Sequence, residues 1–444
     1  MKALACGALM AALAAPAAAA EGLKVIAVKA ARMFDGKGDE VVSPGLVVVS
    51  GGRIVAAGAG AAIPKGAEVI DLGDATILPG FIDAHTHVTF EASDDWKQDQ
   101  IDSLKKTIPE QALDATVYAR KTLMAGFTTV RDVGADGFID VGLRNGIASG
   151  KVVGPRMLVA VNGIGATGGH CDPTGGFRAG LFGKEPDVDQ GVANGPDAVR
   201  AAVRFNVKNG ADLIKTCATG GVLSEADEVD TPQLTQAELD ALVDEARSLR
   251  KRTVAHAHGA EGAKRAIRAG ISSIEHGSFL DDEALDMMKE RGTYLVPTLL
   301  ALEGIRERLE RSAFMPQQIV EKARAAIARC SQMFKHALSK GVKIGFGTDA
   351  GVYPHGRNAE EFHLMADLGM TPVEALKTAT SANADLLGLS DRVGVLEAGT
   401  YADVIAVPGD PVKEIRVTEK VFFVMKDGVV FRNDRVQGAN ASVF

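Results

Sequence analysis

The chain has 444 residues, of which 46% are hydrophobic and 24% charged, the composition of an ordinary globular protein. This length exceeds what one compact core usually organises, so we expect a large domain and a smaller companion. The formal net charge is -8 and no run rich in Lys or Arg occurs, which excludes a protein that binds the phosphate backbone of nucleic acids.

Residues 1–20 have the pattern of an export signal. Lys2 provides a positive start, an apolar Ala-rich run follows, and the small residues 18–20 form a cleavage site before Glu21. The run is too short and too rich in Ala for a membrane-spanning helix. Hardly any apolar segment precedes Cys6, which disfavours a lipid anchor. The alternative is a disordered leader, but we expect a signal peptide and a periplasmic or secreted protein without a membrane anchor.

Removal of the leader would leave three cysteines in the mature chain, Cys171, Cys217 and Cys330. Three scattered cysteines do not form the even, closely spaced pattern of a disulfide framework. We therefore expect all three to be buried free thiols.

Both ends of the chain have the pattern of short strands. Residues 21–78 contain β-branched runs separated by Gly and Asp turns, and residues 395–444 repeat this pattern in ADVIAVPGD and KVFFVMKDG. Because these stretches lie at opposite ends of the chain, we expect them to pair into one small β-sandwich domain.

Residues 79–394 alternate apolar strand patterns with helical patterns. Thr235 and Glu238 form a capping box at the start of one helix, and Gly270, Gly292 and Gly341 lie where helices should end. The strand patterns, which begin just before residue 79, are ATILPGFIDAHTH, GFTTVRDVG, RMLVAVNGIG, ADLIKTCATGG, RTVAHAHG, ISSIEHG, YLVPTLLAL and VKIGFGTDAG. Eight strands alternating with helices predict an α/β fold, a (β/α)8 TIM-type barrel whose active site lies at the C-terminal ends of the strands.

Histidines are concentrated at that predicted face. Of the nine histidines, only His336 and His363 fall in predicted helices. The other seven lie at predicted strand ends or in the loops that follow: His85, His87, His170, His256, His258, His276 and His355. A random scatter would not favour the one face that supports catalysis, so we expect a metal centre there.

The first strand ends in His85-Thr-His87. Side chains two apart on a strand share a face, so both imidazoles can hold one metal. Asp349 closes the eighth strand in GFGTDAG. It could cap the following helix, but we interpret it as a metal-bound carboxylate that also serves as catalytic acid and base.

Lys215 lies near the end of the fourth strand, where an unpaired ammonium is costly to bury. One interpretation is a salt-bridged lysine. The other is that burial depresses its pKa, so that the free amine captures carbon dioxide as a carbamate. A carboxylated Lys215 would bridge two metal ions.

The fifth and sixth strands end in HAHG and IEHG, which place His256 and His276 where they can hold a second metal. His258 shares a face with His256, so spacing alone does not tell which of them is the ligand. Imidazole, carboxylate and carbamate suit zinc best, and manganese, cobalt or iron also fit this set.

These motifs together resemble the amidohydrolase superfamily over essentially the whole chain after the leader. The segments that carry the resemblance are LPGFIDAHTH, AGFTTVRDVG, the strand-four Lys, HAHG, IEHG, GTDAG and the terminal ADVIAV. ATGGHCD, CATGGV and GTDAGVYPHG further resemble the secreted dipeptidases and carboxypeptidases, a group that includes Xaa-Pro dipeptidases and ochratoxin-hydrolysing amidases.

The resemblance implies roles for individual residues. It implies that the first metal is held by His85, His87 and Asp349. It implies that His256, rather than His258, joins His276 on the second metal, with Lys215 as the carboxylated bridge. His170 and His258 match positions that face the substrate carboxylate, and His355 is a further candidate for that contact. Large homo-oligomers are common among such relatives, which implies one here.

The sequence therefore predicts a binuclear hydrolase that releases a C-terminal amino acid from dipeptides or N-acyl-L-amino acids. The apolar run Pro297, Leu299, Leu300 and Leu302 after strand seven favours a neutral or apolar leaving residue. One alternative is a mononuclear deaminase or cyclic-amide hydrolase, but such a site usually lacks a strand-four Lys. The other is a non-catalytic scaffold, which would be expected to have lost ligands.

Overall fold

A computed structural model describes residues 24–312 and 314–435. The predicted signal peptide, residues 1–20, lies outside the described residues. In the described part of the chain, no helix combines the length and apolar character needed to cross a membrane.

The strands are short and are distributed along the whole described chain. In chain order they are β1 (Val25–Ala30), β2 (Arg32–Met33), β3 (Gly45–Ser50), β4 (Arg53–Ala57), β5 (Glu68–Asp71), β6 (Ala75–Pro79), β7 (Phe81–Thr86), β8 (Phe127–Asp132), β9 (Arg156–Val159), β10 (Gly163–Ile164), β11 (Leu213–Cys217), β12 (Arg252–Gly259), β13 (Ser273–Phe279), β14 (Tyr294–Val296), β15 (Val404–Pro408), β16 (Phe423–Lys426) and β17 (Val429–Asn433).

The helices lie mainly between the strands from β7 onward. They are α1 (Trp96–Lys105), α2 (Ile108–Met124), α3 (Ile139–Ala148), α4 (Pro196–Lys208), α5 (Gln236–Ser248), α6 (Ala260–Ala269), α7 (Asp282–Arg291), α8 (Leu299–Arg311), α9 (Gln317–Lys340), α10 (Glu360–Asp367), α11 (Pro372–Lys377) and α12 (Asn383–Leu387). Short 3-10 turns cover Val188–Gln190 and Ile415–Lys420, and a π-turn covers Thr378–Ala382.

Strands from both chain ends meet in two sheets. One sheet has the order β4-β3-β1-β5, and the other, β17-β16-β15-β6-β2, joins C-terminal to N-terminal strands. In the second sheet β15 runs antiparallel to β6, with Ile405 opposite Leu78. One buried apolar cluster, which includes Val28, Val47 and Phe423, contacts strands of both sheets. This arrangement matches the expected pairing of the chain ends, while the domain boundaries at 78 and 395 stay predictions.

The remaining strands are parallel and form a barrel of the TIM type. β7, β8 and β9 make one ladder and β10 to β14 make another, and β9 is followed directly along the chain by β10. Residues 344–350 complete the ring through two parallel bridges, Leu295 with Ile344 and Thr86 with Ala350. The predicted eighth strand is thus present mainly as these two bridges, and its end lies beside the end of β7.

The helix boundary signals are confirmed. Thr235 and Glu238 form a reciprocal capping box at the start of α5. Gly270, Gly292 and Gly341 follow α6, α7 and α9 in the left-handed conformation that favours glycine. His336 and His363 lie in α9 and α10, as predicted.

The predicted strand over residues 294–302 is wrong in its second half. β14 ends at Val296, and α8 begins at Leu299. The carboxylate of Glu361 accepts hydrogen bonds from the backbone N–H groups of Leu299 and Leu300, which satisfies the exposed donors of the helix start. A short apolar run does not distinguish a strand from a buried helix, and this distant carboxylate favours the helix.

The expectation of three free thiols is also wrong. Cys171 and Cys217 form a disulfide between residues 46 apart in sequence, with Cα atoms 5.8 Å apart. Cys330 is buried and free, as expected. The spacing along the chain did not reveal the pair because the barrel, not local sequence, brings the loop after β10 against the end of β11.

Candidate metal centre and substrate site

One group of potential ligands forms where β7 meets residues 344–350. Nε2 of His85 and Nε2 of His87 lie 3.4 and 3.5 Å from Oδ1 of Asp349. Asp83 fixes this junction, because its carboxylate accepts hydrogen bonds from the backbone N–H and the hydroxyl of Thr348. The three side chains therefore meet as the sequence predicted, with ligand atoms within 4.8 Å of one another.

A second group lies at the ends of β12 and β13. His256, His258 and His276 offer ligand atoms that also lie within 4.8 Å of one another. The ring of His276 is 4.8 Å from that of His85, so the two groups adjoin. Geometry does not choose between His256 and His258, since both lie close to His276.

The imidazoles are anchored through one ring nitrogen each, which leaves the other nitrogen available. This is the usual arrangement of metal-binding histidines, whose second nitrogen is held by a nearby protein group. The anchoring contacts are His85 Nδ1 with Glu275 Oε2 at 2.6 Å, His87 Nδ1 with the Gly134 carbonyl at 3.1 Å, His276 Nδ1 with Thr298 Oγ1 at 2.7 Å, and His256 Nε2 with the Gly220 carbonyl at 3.1 Å.

The protonation states also suit metal binding. Burial lowers the pKa of His87 to about 4 and holds those of His256 and His276 well below the ordinary value. Burial acts in the opposite direction on Asp349, yet the neighbouring His85 and His87 hold the pKa of its carboxyl below normal. Burial also acts to lower the pKa of His85, but the neighbouring carboxylates of Asp349 and Glu275 raise it above the ordinary value. The neutral imidazoles of His87, His256 and His276 and the ionised carboxylate of Asp349 are donors that zinc and similar ions prefer.

Lys215 lies in the middle of β11 and is almost completely buried, with 5% of its surface exposed. Its ammonium forms no ion pair within the described ranges. Burial lowers the pKa of Lys215 to about 8, although the charges of Glu275 and Asp349 act against this shift. A lysine in this state has roughly a tenth of its population as free amine at pH 7, far more than an ordinary lysine has.

Backbone strain coincides with the ligand positions. His276 and Asp349 have φ values of 69° and 59°, in the left-handed region that residues other than glycine rarely adopt. Thr298, which anchors His276, has a φ of 47°. Each such residue destabilises the folded state by about 1–3 kcal/mol, and residues with such strain cluster at functional sites.

His170 and His258 border the second group of ligands, as predicted. The His170 ring stacks on His256 at 4.1 Å, and the His258 ring stacks on His276 at 4.9 Å. Nδ1 of His170 contacts the Ser224 hydroxyl at 3.1 Å, and Nδ1 of His258 contacts the Ser278 hydroxyl at 3.0 Å. The Nε2 atoms of both rings therefore remain for a substrate.

His355 is not brought into these groups. Its Nε2 donates to the carbonyl of Phe90 at 2.9 Å, and its ring stacks on Tyr118 of α2 at 5.1 Å. The structure thus places it beside the loop after β7 rather than against the other histidines. Its role in substrate binding stays a prediction.

Two buried charged residues that sequence reasoning missed support the first ligand group. Besides anchoring His85, Glu275 accepts hydrogen bonds from Arg131 at 3.0 Å and from the Ser273 hydroxyl at 2.5 Å. Arg131 holds the pKa of Glu275 below normal against the effect of burial. The available signal was an Arg in TTVRDVG and a Glu in IEHG, opposite charges on two predicted interior strands.

Replacing Glu275 should weaken both the fold and the metal site. Glu275→Gln leaves the buried Arg131 without its anion, which should cost about 3 kcal/mol in the free energy of unfolding. It also removes the acceptor that orients His85, so metal affinity should fall about 10- to 100-fold. Urea unfolding of the metal-free protein and a competitive chelator titration measure the two effects.

Glu397→Gln is a matched control for this change. Glu397 pairs with Lys37 at the surface, where both side chains are about half exposed. Its loss should change the free energy of unfolding by less than about 0.5 kcal/mol. If Glu275→Gln behaved like this control in both assays, Glu275 would have no role in supporting the site.

Comparison with known proteins identifies the family of the chain. The sequence profile described as "Amidohydrolase family" matches residues 76–432. Ochratoxinase from Aspergillus niger is 31% identical over 440 residues, which cover 94% of this chain and 88% of that protein.

Similar solved structures extend over nearly the whole chain. A Xaa-Pro dipeptidase with methionine bound in its active site is 44% identical, with a TM-score of 0.89, covering 92% of this chain and all of that chain. A prolidase complexed with N-methylphosphonate-L-proline is 30% identical, with a TM-score of 0.84 and coverage of 92% and 100% of the two chains.

Proposed function

This chain belongs to the amidohydrolase family, and we propose that it cleaves the amide bond of dipeptides or N-acyl-L-amino acids to release a C-terminal amino acid. The observation that carries the proposal is the meeting of two groups of ligand-type side chains at one end of the barrel, with a buried lysine on the same face. Similarity to ochratoxinase and to Xaa-Pro dipeptidase supports this class of substrate.

Two divalent metal ions, with zinc favoured, would be held by these residues. His85, His87 and Asp349 would hold one ion, and His256 and His276 the other. When bound, such a pair would lower the pKa of water to about 7 and polarise the substrate carbonyl. The rest of the mechanism follows from the side chains of the protein.

Lys215 would join the two ligand groups as a carbamate. Its free amine attacks carbon dioxide, a C–N bond forms, and the amine releases one proton, which leaves a carboxylate at the end of the side chain. This reaction replaces a buried, unpaired cation by an anionic bidentate ligand. The depressed pKa and the lack of an ion pair among described residues support the modification.

Asp349 would move the protons of the reaction. Held ionised by His85 and His87, its carboxylate accepts a proton from the attacking water as the new C–O bond forms. It then donates this proton to the amide nitrogen as the C–N bond breaks. The products are a carboxylic acid and an amino acid with a free amine.

His170 and His258 would bind the carboxylate of the leaving amino acid through Nε2. Ser224 donates its hydroxyl proton to Asp227 at 2.6 Å and so accepts from Nδ1 of His170. This fixes the direction of the His170 ring. Burial lowers the pKa of His170 to about 4, so binding of the substrate carboxylate would be coupled to uptake of one proton from solvent at Nε2.

The leaving residue should have a neutral side chain. The carboxylates of Glu275 and Asp227 are already paired with the buried cations Arg131 and Lys322, so neither is free for a basic substrate. Leu299, Leu300 and Leu302, which were predicted to lie at a strand end, instead lie on α8. There Leu300 belongs to a buried apolar cluster with Ala350, and Leu302 belongs to another with Val222.

A comparison of three substrates tests the proposed function. N-acetyl-L-phenylalanine should be hydrolysed faster than its C-terminal amide, because the amide leaves the two imidazoles without their anion. The loss in kcat/KM should correspond to at least about 2 kcal/mol, or about 30-fold. N-acetyl-L-arginine should also be a poor substrate.

The measurement is the kcat/KM of each compound with the metal-loaded protein. Equal values for acid and amide would refute the carboxylate contacts, and a preference for arginine would refute the neutral side-chain preference. Failure to hydrolyse any of a panel of N-acyl amino acids and dipeptides would refute the proposed function as a whole.

The chain should act outside the cytoplasm after removal of residues 1–20. A disulfide between Cys171 and Cys217 fits an oxidising compartment, where such bonds form and persist. This agrees with the export pattern of the leader and supports a periplasmic or secreted enzyme.

A homo-oligomer is supported by exposed apolar side chains on α1 and α2. Leu113 and Val117 lie one turn apart on α2 and are 69% and 52% exposed, and Ile101 and Leu104 on α1 are also exposed.

Native mass spectrometry of protein from its own host should give a chain lighter by residues 1–20 and a mass that is a multiple of this chain. An intact leader would refute export, and a single-chain mass would refute the oligomer.

A further inference from the structure

The Cys171–Cys217 disulfide lies directly beside the proposed site. Cys217 ends β11 and is two residues from Lys215, while Cys171 immediately follows His170. The bond therefore ties the loop that carries His170 to the strand that carries Lys215. Among the cysteines that the structure describes, the remaining one, Cys330, is free.

The loop after β10 lacks regular secondary structure over most of its length. Residues 165–195 contain no helix or strand apart from the 3-10 turn Val188–Gln190. Long connections of this kind are usually mobile. A side chain that must meet a substrate from such a loop needs support from elsewhere in the fold.

Three glycines lie so close to Cys171 or to the His170 ring that a side chain at any of them would clash. A Cβ atom on Gly163 would lie 2.7 Å from Sγ of Cys171, and one on Gly165 would lie 2.7 Å from its Cβ. A Cβ on Gly221 would lie 2.2 Å from the ring of His170. The backbone around the disulfide and the imidazole is thus fitted closely to both.

Non-covalent contacts complete the support of His170. Its backbone N–H donates to Oε1 of Gln233 at 2.9 Å, its Nδ1 contacts Ser224, and its ring stacks on His256. Ser224 and Gln233 both belong to the loop that follows Cys217. The disulfide joins the residue after His170 to the residue that precedes the loop with Ser224 and Gln233.

We propose that Cys171 and Cys217 are positioning residues that hold His170 in place for the substrate carboxylate, and that reducing their disulfide weakens substrate binding without removing the metal ligands. This inference rests on the proposed function, since it assigns His170 the carboxylate contact. A further consequence is that substrate affinity depends on whether the Cys171–Cys217 disulfide is oxidised or reduced.

Reduction by tris(2-carboxyethyl)phosphine is a balanced two-electron reaction. The phosphine and one water molecule give the phosphine oxide, and the two sulfurs of the disulfide gain two electrons and two protons as separate thiols. A thiol titration under denaturing conditions shows when this reaction is complete. No other oxidant or reductant is required.

The test measures KM and kcat for N-acetyl-L-phenylalanine before and after complete reduction of the metal-loaded full chain. KM should rise at least about tenfold, because a small misplacement of a positioning group has effects of this size or larger, while kcat and metal content stay nearly unchanged. The double variant Cys171→Ala with Cys217→Ala should show the same raised KM and no response to the phosphine. Cys330→Ala should behave as the unchanged protein in both states.

Binding of L-phenylalanine, measured by calorimetry, gives a readout that does not need turnover. Its Kd should rise by the same factor on reduction. An unchanged KM and Kd after complete reduction would overturn the proposal, and so would a loss of metal or a fall in kcat alone, which indicate a purely structural bond. If the unreduced protein binds L-phenylalanine in its metal-loaded form but hydrolyses no amide, the proposed function fails while the positioning role is still measured.

Discussion

Lys215→Ala should lose its bound metal together with its activity. The substitution removes the only group on β11 that can bridge the two ligand groups as an anion, and it leaves a cavity between them. Activity should fall at least about a thousandfold, because the metal ions supply the nucleophile at neutral pH. Metal content by mass spectrometry and kcat/KM for N-acetyl-L-phenylalanine measure both effects.

Lys215→Arg is the matched control for charge. It keeps a cation of similar length but cannot form the carbamate, because its guanidinium stays protonated. It should therefore fail in the same way as the alanine variant. In the unchanged protein, exchange with ¹³C-bicarbonate should give a carbamate resonance that both variants lack. Full metal content and activity in either variant would contradict the bridging role of Lys215.

Asp349→Asn should separate metal binding from catalysis. The amide keeps the size of the side chain and one oxygen ligand, while His85 and His87 remain on the same ion, so much of the metal should stay. The amide cannot accept and return a proton, and kcat should fall about 100- to 10,000-fold.

The exposed Asp391 provides a control, since its carboxylate lies at the surface and pairs with Arg392. Asp391→Asn should keep both metal and kcat. Retention of more than about a tenth of kcat by Asp349→Asn would show that another group moves the proton, because loss of such a group has larger effects.

That the candidate ligand residues meet could be predicted, because the C-terminal ends of all barrel strands lie at one face. His85, His276 and Asp349 are far apart along the chain. His85 lies in the C-terminal half of β7, His276 lies in β13, and Asp349 precedes Ala350, whose bridge to Thr86 places it beside the end of β7. The pattern of strands and the residue types at their ends therefore sufficed to bring them together. No knowledge of contacts between strands was needed.

The supporting contacts could not be predicted in the same way. The pairing of Glu275 with Arg131 depends on which side of the barrel wall each side chain faces, and on the register between β8 and β13, which are not neighbours. The Cys171–Cys217 bond depends on the path of two irregular loops. Neither is specified by periodicity.

The secondary structure of the apolar run after β14 could not be predicted from sequence for a different reason. Leu299 and Leu300 are equally suited to a buried strand and a buried helix, and the choice is made by Glu361, which lies about sixty residues further along the chain. The predicted substrate preference relied on these leucines lying at a strand end, and they lie on a helix instead.

The number of metal ions per chain tests the central claim most directly. The protein is incubated with excess zinc and bicarbonate, freed of unbound ions, and its metal content is measured against protein concentration, with Lys215→Ala as the control for ions held elsewhere. The account predicts two zinc ions per chain above this control. A value near one, as in a mononuclear deaminase, or near zero, as in a scaffold without catalysis, would contradict it.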